Sequence, residues 1–241
     1  SVTIPDSVTT IGDDAFWECT GLTTVTIGNS VTTIGSEAFY NCTGLKSVTI
    51  GTGVTTIGWE AFCYCAGLKE VYFNAINCAD GDYYANVFAC AGSTGMKVVI
   101  GKQVTKIPAS IFKYTYEEEY WPWAEDSNRY GVTEIVFEEG SVCASIGNDA
   151  FMDCGCLETI TIPASVKSIG GGAFFNCESL TEITFEGNAP SIGTNAFYGV
   201  TVTAYYPCND STWTDSVCQN YGGVITWKSS AIASGACGTN L

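Results

Sequence analysis

Val31-Thr-Thr-Ile34-Gly-Ser-Glu-Ala-Phe39-Tyr-Asn-Cys42-Thr-Gly-Leu45-Lys-Ser-Val48-Thr-Ile50 is the stretch of sequence that decides the fold. Its framework, Ile-Gly-x-x-Ala-Phe-x-x-Cys-x-x-Leu-x-x-Val-x-Ile, returns every 23 residues, and copies start at Ile11, Ile34, Ile57, Ile146, Ile169 and Ile192. Two degenerate copies lie between these groups: one has Tyr83, Val87 and Phe88 in the Ile, Ala and Phe places, and the other has Ile107, Ile111 and Phe112. Two groups of three copies, each with a 23-residue spacing, and the two degenerate copies between them indicate a repeat architecture of eight units.

A unit this short cannot bury its own apolar residues, so neighbouring units must stack and bury them in continuous columns. The Leu-x-x-Val-x-Ile stretch alternates with a period of two and predicts a short parallel strand, and Val31–Ile34 predicts a second extended piece. We expect Gly35 to allow a turn and Ser36–Phe39 to form a single helical turn on the convex side. The predicted fold is a right-handed α/β solenoid of about eight repeats.

The repeat resembles the BspA-type leucine-rich repeat of bacterial surface proteins, from residue 2 to about residue 206. The segment from Tyr205 to Trp227 is similar to the closing segment of such arrays. The resemblance implies a solenoid over residues 1–206, irregular at 74–95 and carrying an insertion at 113–131, followed by a cap and tail at 207–241. It also implies an exported or surface-attached bacterial binding protein, with an adhesion role in some members.

Composition excludes several classes of function. The 241 residues include 25 Asp and Glu against 9 Lys and Arg, for a net charge of −16, so we expect no binding to nucleic acid or to anionic lipid. The chain has no histidine, which removes the usual general base and the commonest metal ligand. No apolar run approaches the ~20 residues that span a bilayer. We therefore expect no enzyme, no cofactor, no metal and no direct membrane insertion.

Thirteen cysteines are present, and five of them hold one repeat position, three residues after the Phe. At solenoid spacing this position predicts a buried ladder of free thiols, formed by Cys19, Cys42, Cys65, Cys154 and Cys177. Two disulfides remain open from the spacing alone, Cys208–Cys218 and Cys78–Cys90.

Three surfaces could hold a ligand. The first is the strand face, whose outward residues are mostly hydroxyls, as in Thr24 and Thr26, Ser47 and Thr49, Thr159 and Thr161, and Glu182 and Thr184. The second is the column that follows each Phe, formed by Trp17, Tyr40, Met152, Phe175 and Tyr198. Both patterns are also what an ordinary soluble, packed surface would show.

The third surface is the insertion, because the copy that begins at Ile107 carries about fourteen extra residues between Phe112 and Val132. This acidic segment contains six aromatic residues that we take as the candidate ligand-binding residues: Tyr114, Tyr116, Tyr120, Trp121, Trp123 and Tyr130. Exposed aromatic rings give rigid contact area to a protein partner and can also stack on sugars. The alternative is that they fold back over the irregular copies.

The sequence favours a non-enzymatic binding or adhesion module, at the cell surface or secreted, that recognises a protein ligand. A carbohydrate-recognition module that uses Trp121 and Trp123 is one alternative. A structural stalk within a larger surface protein is the other. Because the chain opens inside a repeat, with Ser1-Val-Thr-Ile4-Pro5, we expect it to be part of a longer protein.

Overall fold

The computed structural model describes residues 1–82, 84–114 and 131–231. Each coil contributes one long strand, and most coils add a short one. The long strands are β1 (Val2–Ile4), β3 (Thr24–Ile27), β5 (Ser47–Ile50), β7 (Glu70–Phe73), β8 (Met96–Ile100), β10 (Val132–Phe137), β12 (Thr159–Ile162), β14 (Glu182–Phe185), β16 (Thr201–Pro207) and β17 (Val224–Ser230). The short strands are β2 (Thr10–Ile11), β4 (Thr33–Ile34), β6 (Thr56–Ile57), β9 (Lys106–Ile107), β11 (Ser145–Ile146), β13 (Ser168–Ile169) and β15 (Ser191–Ile192).

Equivalent residues of successive coils pair in parallel, which confirms the predicted solenoid. Val25 pairs with Val48, and Val48 with Val71. The long strands form two sheets, β1-β3-β5-β7-β8-β10 and β12-β14-β16-β17. The short strands also form two, β2-β4-β6 and β9-β11-β13-β15. The long column is thus interrupted between β10 and β12, and the short column between β6 and β9.

The predicted helical turn at Ser36–Phe39 is wrong, because no helix occurs among the described residues. The backbone nitrogens of Glu37 and Phe39 donate to carbonyls of the next coil, Trp59 O and Ala61 O, each at 2.8 Å. Glu37 has a left-handed φ of 55°, which a right-handed helix does not allow. The backbone N–H groups that would bond within a helix therefore bond to the neighbouring coil instead.

Gly35 serves a purpose other than the predicted one. Its φ is not in the left-handed region. A Cβ added there would lie 2.5 Å from the backbone nitrogen of Asp13 in the preceding coil. Gly12, at the same repeat position in the first coil, has no atom within 4 Å of an added Cβ. The glycine is therefore needed for close stacking of one coil on another.

One column of phenylalanines runs through the core. The rings of Phe16, Phe39 and Phe62 stack at centroid distances of 4.9 and 5.0 Å, with interplanar angles of 3°. The column continues through Phe88, Phe112, Phe151, Phe174 and Phe197. Phe88 and Phe112 therefore occupy the Phe places of the degenerate copies, as predicted, and Tyr83 lies outside the described residues.

The thiol ladder is confirmed for Cys42, Cys65, Cys154 and Cys177, which are fully buried and free. Each thiol donates to the carbonyl of a Phe in the preceding coil; for Cys65 the acceptor is Phe39 O at 3.2 Å. Cys19 is the exception: it is exposed, because no coil covers it in the structure. The ladder therefore supplies hydrogen bonds as well as small apolar side chains.

Both disulfides left open by the spacing are wrong. Neither Cys78 nor Cys90 is part of a disulfide. Cys208 is disulfide-bonded, but Cys218 is free.

An aromatic cluster closes the core near the last strands. The ring of Trp213 lies 4.8 Å from that of Phe185 and 5.6 Å from that of Trp227. The Trp213 indole nitrogen also donates to Gly187 O at 3.0 Å. Pairing over seven residues between β16 and β17 extends the sheet past the last well-matched repeat.

Candidate binding surface

Most of the predicted aromatic site falls in a segment that the structure does not describe. Tyr116, Tyr120, Trp121, Trp123 and Tyr130 lie outside the described residues. Tyr114 is described: it is half-buried, and its backbone nitrogen donates to Met152 O at 2.9 Å, which makes it part of the coil.

The two ends of the insertion meet beside the long strands. A Cβ added at Gly131 would lie 3.4 Å from the Tyr114 ring, so the chain leaves and rejoins the coil at one place. Gly131 O accepts a hydrogen bond of 2.8 Å from the backbone nitrogen of Met96, the first residue of β8. The insertion is therefore rooted at the start of β8 and β10.

The long strands expose two rows of side chains, as the alternating pattern predicted. The first row contains Thr24, Ser47, Glu70, Lys97 and Glu134, and resumes after the interruption with Thr159, Glu182, Thr203 and Thr226. The second row contains Thr26, Thr49, Tyr72, Val99 and Val136, and resumes with Thr161, Thr184, Tyr205 and Lys228. In both rows the residues before β7 are threonine or serine. From β7 to β10 the first row is charged, and the second row is aromatic and aliphatic.

Glu70, Lys97 and Glu134 form a charged row across three adjacent strands. Lys97 Nζ donates to Glu134 Oε1 at 2.9 Å. On the neighbouring strand the Tyr72 hydroxyl donates to Glu70 Oε2 at 3.2 Å. The side chains of Lys97 and Glu134 are 37% and 54% exposed, so the pair stabilises the fold little and stays open to a partner.

Both hydrogen bonds favour the protonation states that the two side chains already have at neutral pH. The bond to the Glu134 carboxylate raises the pKa of Lys97, so the ammonium stays charged. The bond to the Glu70 carboxylate raises the pKa of Tyr72, so the phenol keeps its proton. The charged row therefore presents one cation between two carboxylates, with a phenol donor beside it.

The column that follows each Phe is packed between neighbouring rings, although Trp17 and Tyr198 at its two ends remain exposed. The rings of Trp17 and Tyr40 stack at 4.3 Å and 14°, and those of Phe175 and Tyr198 at 4.6 Å and 13°. In each pair the facing ring surfaces cover one another. Sugars stack on the faces of aromatic rings, so this column offers a glycan less than its composition indicated.

A cleft of about 510 Å³, which the sequence analysis missed, lies where β10 and β12 part. Among its lining residues are Ile135, Phe137, Glu138, Glu139, Ser165 and Glu186. Phe137 is half-buried, whereas Phe73, at the same strand position, is fully buried. The Oγ of Ser165 is buried and has no hydrogen-bond partner among the described residues. The two strands lie close together here, but no backbone hydrogen bonds join them.

The spacing of the repeat does carry a signal for this cleft. Ile146 follows Phe137 by nine positions, whereas Ile34 follows the equivalent Ile27 by seven. The two extra residues enlarge the turn between Glu138 and Cys143, where Gly140 has a left-handed φ of 75°. Counting this interval in every copy would have located the interruption.

The described part of the chain contains no group of three or more His, Cys, Asp or Glu residues placed to hold a metal ion. Burial raises the pKa of Cys154 to about 12 and that of Cys143 to about 11, so both thiols keep their protons at neutral pH. Neither is a thiolate that could ligate a metal or attack a substrate. Within those same residues, no helix is long and apolar enough to cross a membrane.

The solved structures that resemble this chain include leucine-rich repeat proteins. A protein from Bacteroides ovatus is 23% identical with a TM-score of 0.56, and the match covers 94% of this chain and 54% of that one. The T. pallidum leucine-rich repeat protein is 24% identical with a TM-score of 0.45, covering 87% and 73%. A leucine-rich cell surface protein from Faecalibacterium prausnitzii is 19% identical with a TM-score of 0.38, covering 95% and 87%. The chain spans about half the length of the Bacteroides ovatus protein. No curated protein gives a significant match.

The match to a family model identifies the family of this chain. The BspA-type leucine-rich repeat region matches in six copies over residues 1–118 and 133–215. The interval that it skips holds most of the insertion predicted from the spacing. The chain belongs to the BspA-type leucine-rich repeat family.

Proposed function

We propose that this chain is a non-enzymatic adhesion module, at the cell surface or secreted, that binds a protein ligand on its strand face. The observation that carries the proposal is the charged row of Glu70, Lys97 and Glu134, which places three charged side chains on adjacent strands of a face that elsewhere bears mostly hydroxyls. Solenoids use broad surfaces of this kind for protein partners. Proteins of the family are often surface proteins involved in binding.

The position of the insertion supports the same surface. Its ends, at Tyr114 and Gly131, lie beside the start of β8 and β10, and Lys97 and Glu134 follow within three residues. We propose that the aromatic residues of the insertion and the charged row contact one ligand together. Tyr, Trp and charged side chains in one patch are typical of the energetic centre of a protein interface.

The test is a binding screen of the purified chain against extracellular-matrix proteins and a glycan panel. Two variants accompany the wild type: one replaces residues 115–130 with a short Gly-Ser linker and keeps Tyr114, and the other is Lys97→Glu. Thr24→Glu changes charge in the same row, three strands away, and serves as the matched control.

We expect a matrix protein to bind, Lys97→Glu to weaken binding by about tenfold or more, and Thr24→Glu to change it by less than about twofold. Loss of binding in the linker variant would assign the insertion to the same site. A hit confined to glycans, removed by Trp121→Ala and Trp123→Ala, would replace the proposal with carbohydrate recognition. No hit in either panel would overturn the adhesion function and favour a stalk.

A further inference from the structure

We infer that the cleft between β10 and β12 binds an extended, basic segment of a protein partner. The inference deepens the proposed function, on which it rests for its biological meaning, by naming the chemistry of that partner. Its starting point is the interruption of the long column. No backbone hydrogen bond joins β10 to β12, although both strands are fully described and belong to successive coils.

Two facing strand edges therefore carry unpaired backbone groups. The two strands still lie within 8 Å of each other at Cα, so a segment would bind over their carboxyl ends rather than as a strand between them. Ile135, Val136 and Phe137, at the end of β10, line the cleft on one side. On the other side Pro163 follows β12, and it has no N–H to donate to the carbonyl of Phe137, as glycines do in regular coils.

The enlarged turn lines the cleft. Two extra residues lie between Glu138 and Cys143, and the cleft extends from this turn to the turn after β12. The volume of about 510 Å³ is in the range of pockets that hold ligands. The half-buried Phe137 ring gives the cleft an apolar wall.

The negative charge that lines the cleft indicates which kind of partner segment it would bind. Three exposed carboxylates, those of Glu138, Glu139 and Glu186, line the cleft, and no Lys or Arg does. One Glu138 oxygen already accepts from the backbone nitrogen of Lys102, which leaves Glu139 and Glu186 as the freer pair. On a chain with a net charge of −16, this cleft complements an extended segment that alternates Arg or Lys with apolar residues.

The experiment measures fluorescence anisotropy of a labelled peptide, acetyl-(Val-Arg)3-amide, in 0.15 M salt, with the whole chain as the receptor. The (Val-Glu)3 peptide of the same length is the charge control. Glu139→Gln/Glu186→Gln removes two cleft carboxylates. Glu158→Gln/Asp215→Asn removes two exposed carboxylates outside the cleft, so both double variants have the same net charge. Thermal melting checks that each variant is folded.

We expect the Arg peptide to bind and the Glu peptide not to bind. The cleft variant should raise the Kd about tenfold or more, while the control variant should change it by less than about twofold. Ala164→Trp, which fills the cleft from its exposed side, should abolish binding, and Thr52→Trp, at the equivalent turn of a regular coil, should not. Equal losses in the two double variants would mean diffuse attraction to an acidic protein and would overturn the inference.

The two proposals fail separately. If a matrix protein binds with the same affinity to the wild type and to Glu139→Gln/Glu186→Gln, the adhesion function stands and the cleft inference falls. If the Arg peptide binds in the cleft but no panel protein binds anywhere, the inference stands and the adhesion function falls.

Discussion

The first three coils and the junction between β10 and β12 are built from the same repeat but differ in how their polar groups are used. In the first coils a side chain on each turn holds the next coil: Asp6 Oδ1 accepts from Asn29 N at 2.7 Å, and Asn29 Oδ1 accepts from Thr52 N at 3.0 Å. At the junction the strands do not pair, Ser165 Oγ has no hydrogen-bond partner in the part of the chain that the structure describes, and carboxylates line an open cleft. Where the repeat is exact, its polar groups support the fold, and where it changes, they become available to a partner.

The largest expected effect compares the same strand position in the two regions. Phe73 and Phe137 both pair with Ile100, but only Phe73 is fully buried. Phe73→Ala should lower the free energy of unfolding by about 3–5 kcal/mol, because it leaves a cavity in a packed core. Phe137→Ala should cost about half of that or less, since solvent already reaches the ring. Urea denaturation of both variants measures the difference, and equal losses would mean that the cleft is packed like the core.

The second effect tests the close stacking of coils. Gly35→Ala should lower the free energy of unfolding by about 1–3 kcal/mol, because its Cβ would lie against the Asp13 backbone. Gly12→Ala, with open space around it, is the matched control and should not destabilise the protein. If urea denaturation shows that the two variants lose similar free energies of unfolding, the loss would come from backbone conformation and not from the stacking of coils.

The third effect concerns the thiol ladder. Cys65→Ala should cost about 1–2 kcal/mol, because it removes a buried sulfur and its hydrogen bond to Phe39 O. The exposed Cys19 is the control, and Cys19→Ala should change the free energy of unfolding by less than about 0.5 kcal/mol. In the folded wild type a thiol reagent should modify Cys19 quickly and the four ladder cysteines only on unfolding. Rapid labelling of Cys65 or Cys177 would contradict the burial described above.

The smallest effect depends on pH. Burial, and then the Asp14 carboxylate, raise the pKa of Glu37 above its ordinary value of 4.5. The folded state therefore holds this proton at a pH where the unfolded state has lost it. Stability from this group is present below pH 4.5 and is lost as the pH rises through the folded pKa. Glu37→Gln should flatten that part of the stability curve in urea melts between pH 4 and pH 7, and an unchanged slope would exclude Glu37 as its source.

The fold could be predicted from the sequence because the 23-residue period fixes which residues stack. Even Phe88 and Phe112, in degenerate copies, were assigned correctly from their positions in the pattern. The helical turn was wrong because the pattern shows which residues are neighbours along the chain, whereas Glu37 and Phe39 donate to the next coil. The two pairings left open by the spacing do not form, because proximity in sequence does not by itself place two cysteines in disulfide geometry.

The candidate site was less predictable. The charged row depends on which substitutions fall on adjacent strands, and this became visible only once Glu70, Lys97 and Glu134 were in register. The cleft depends on a two-residue change in one turn and on Pro163; both can be found by comparing the copies, but neither alone predicts that β10 and β12 stay unpaired. The insertion was found by counting residues, and its role as a binding element stays a prediction.

Hydrogen–deuterium exchange of β12 tests the central claim, that β10 and β12 are not hydrogen-bonded to each other and that a partner binds at this junction. In the free protein we expect the amides of Thr159–Ile162 that do not bond to β14 to exchange much faster than the amides of Ser47–Ile50, which has a paired strand on each side, and we expect the (Val-Arg)3 peptide to slow exchange at the junction only. Equal protection of Thr159–Ile162 and Ser47–Ile50 in the free protein would contradict the claim, because the edge would then already be paired.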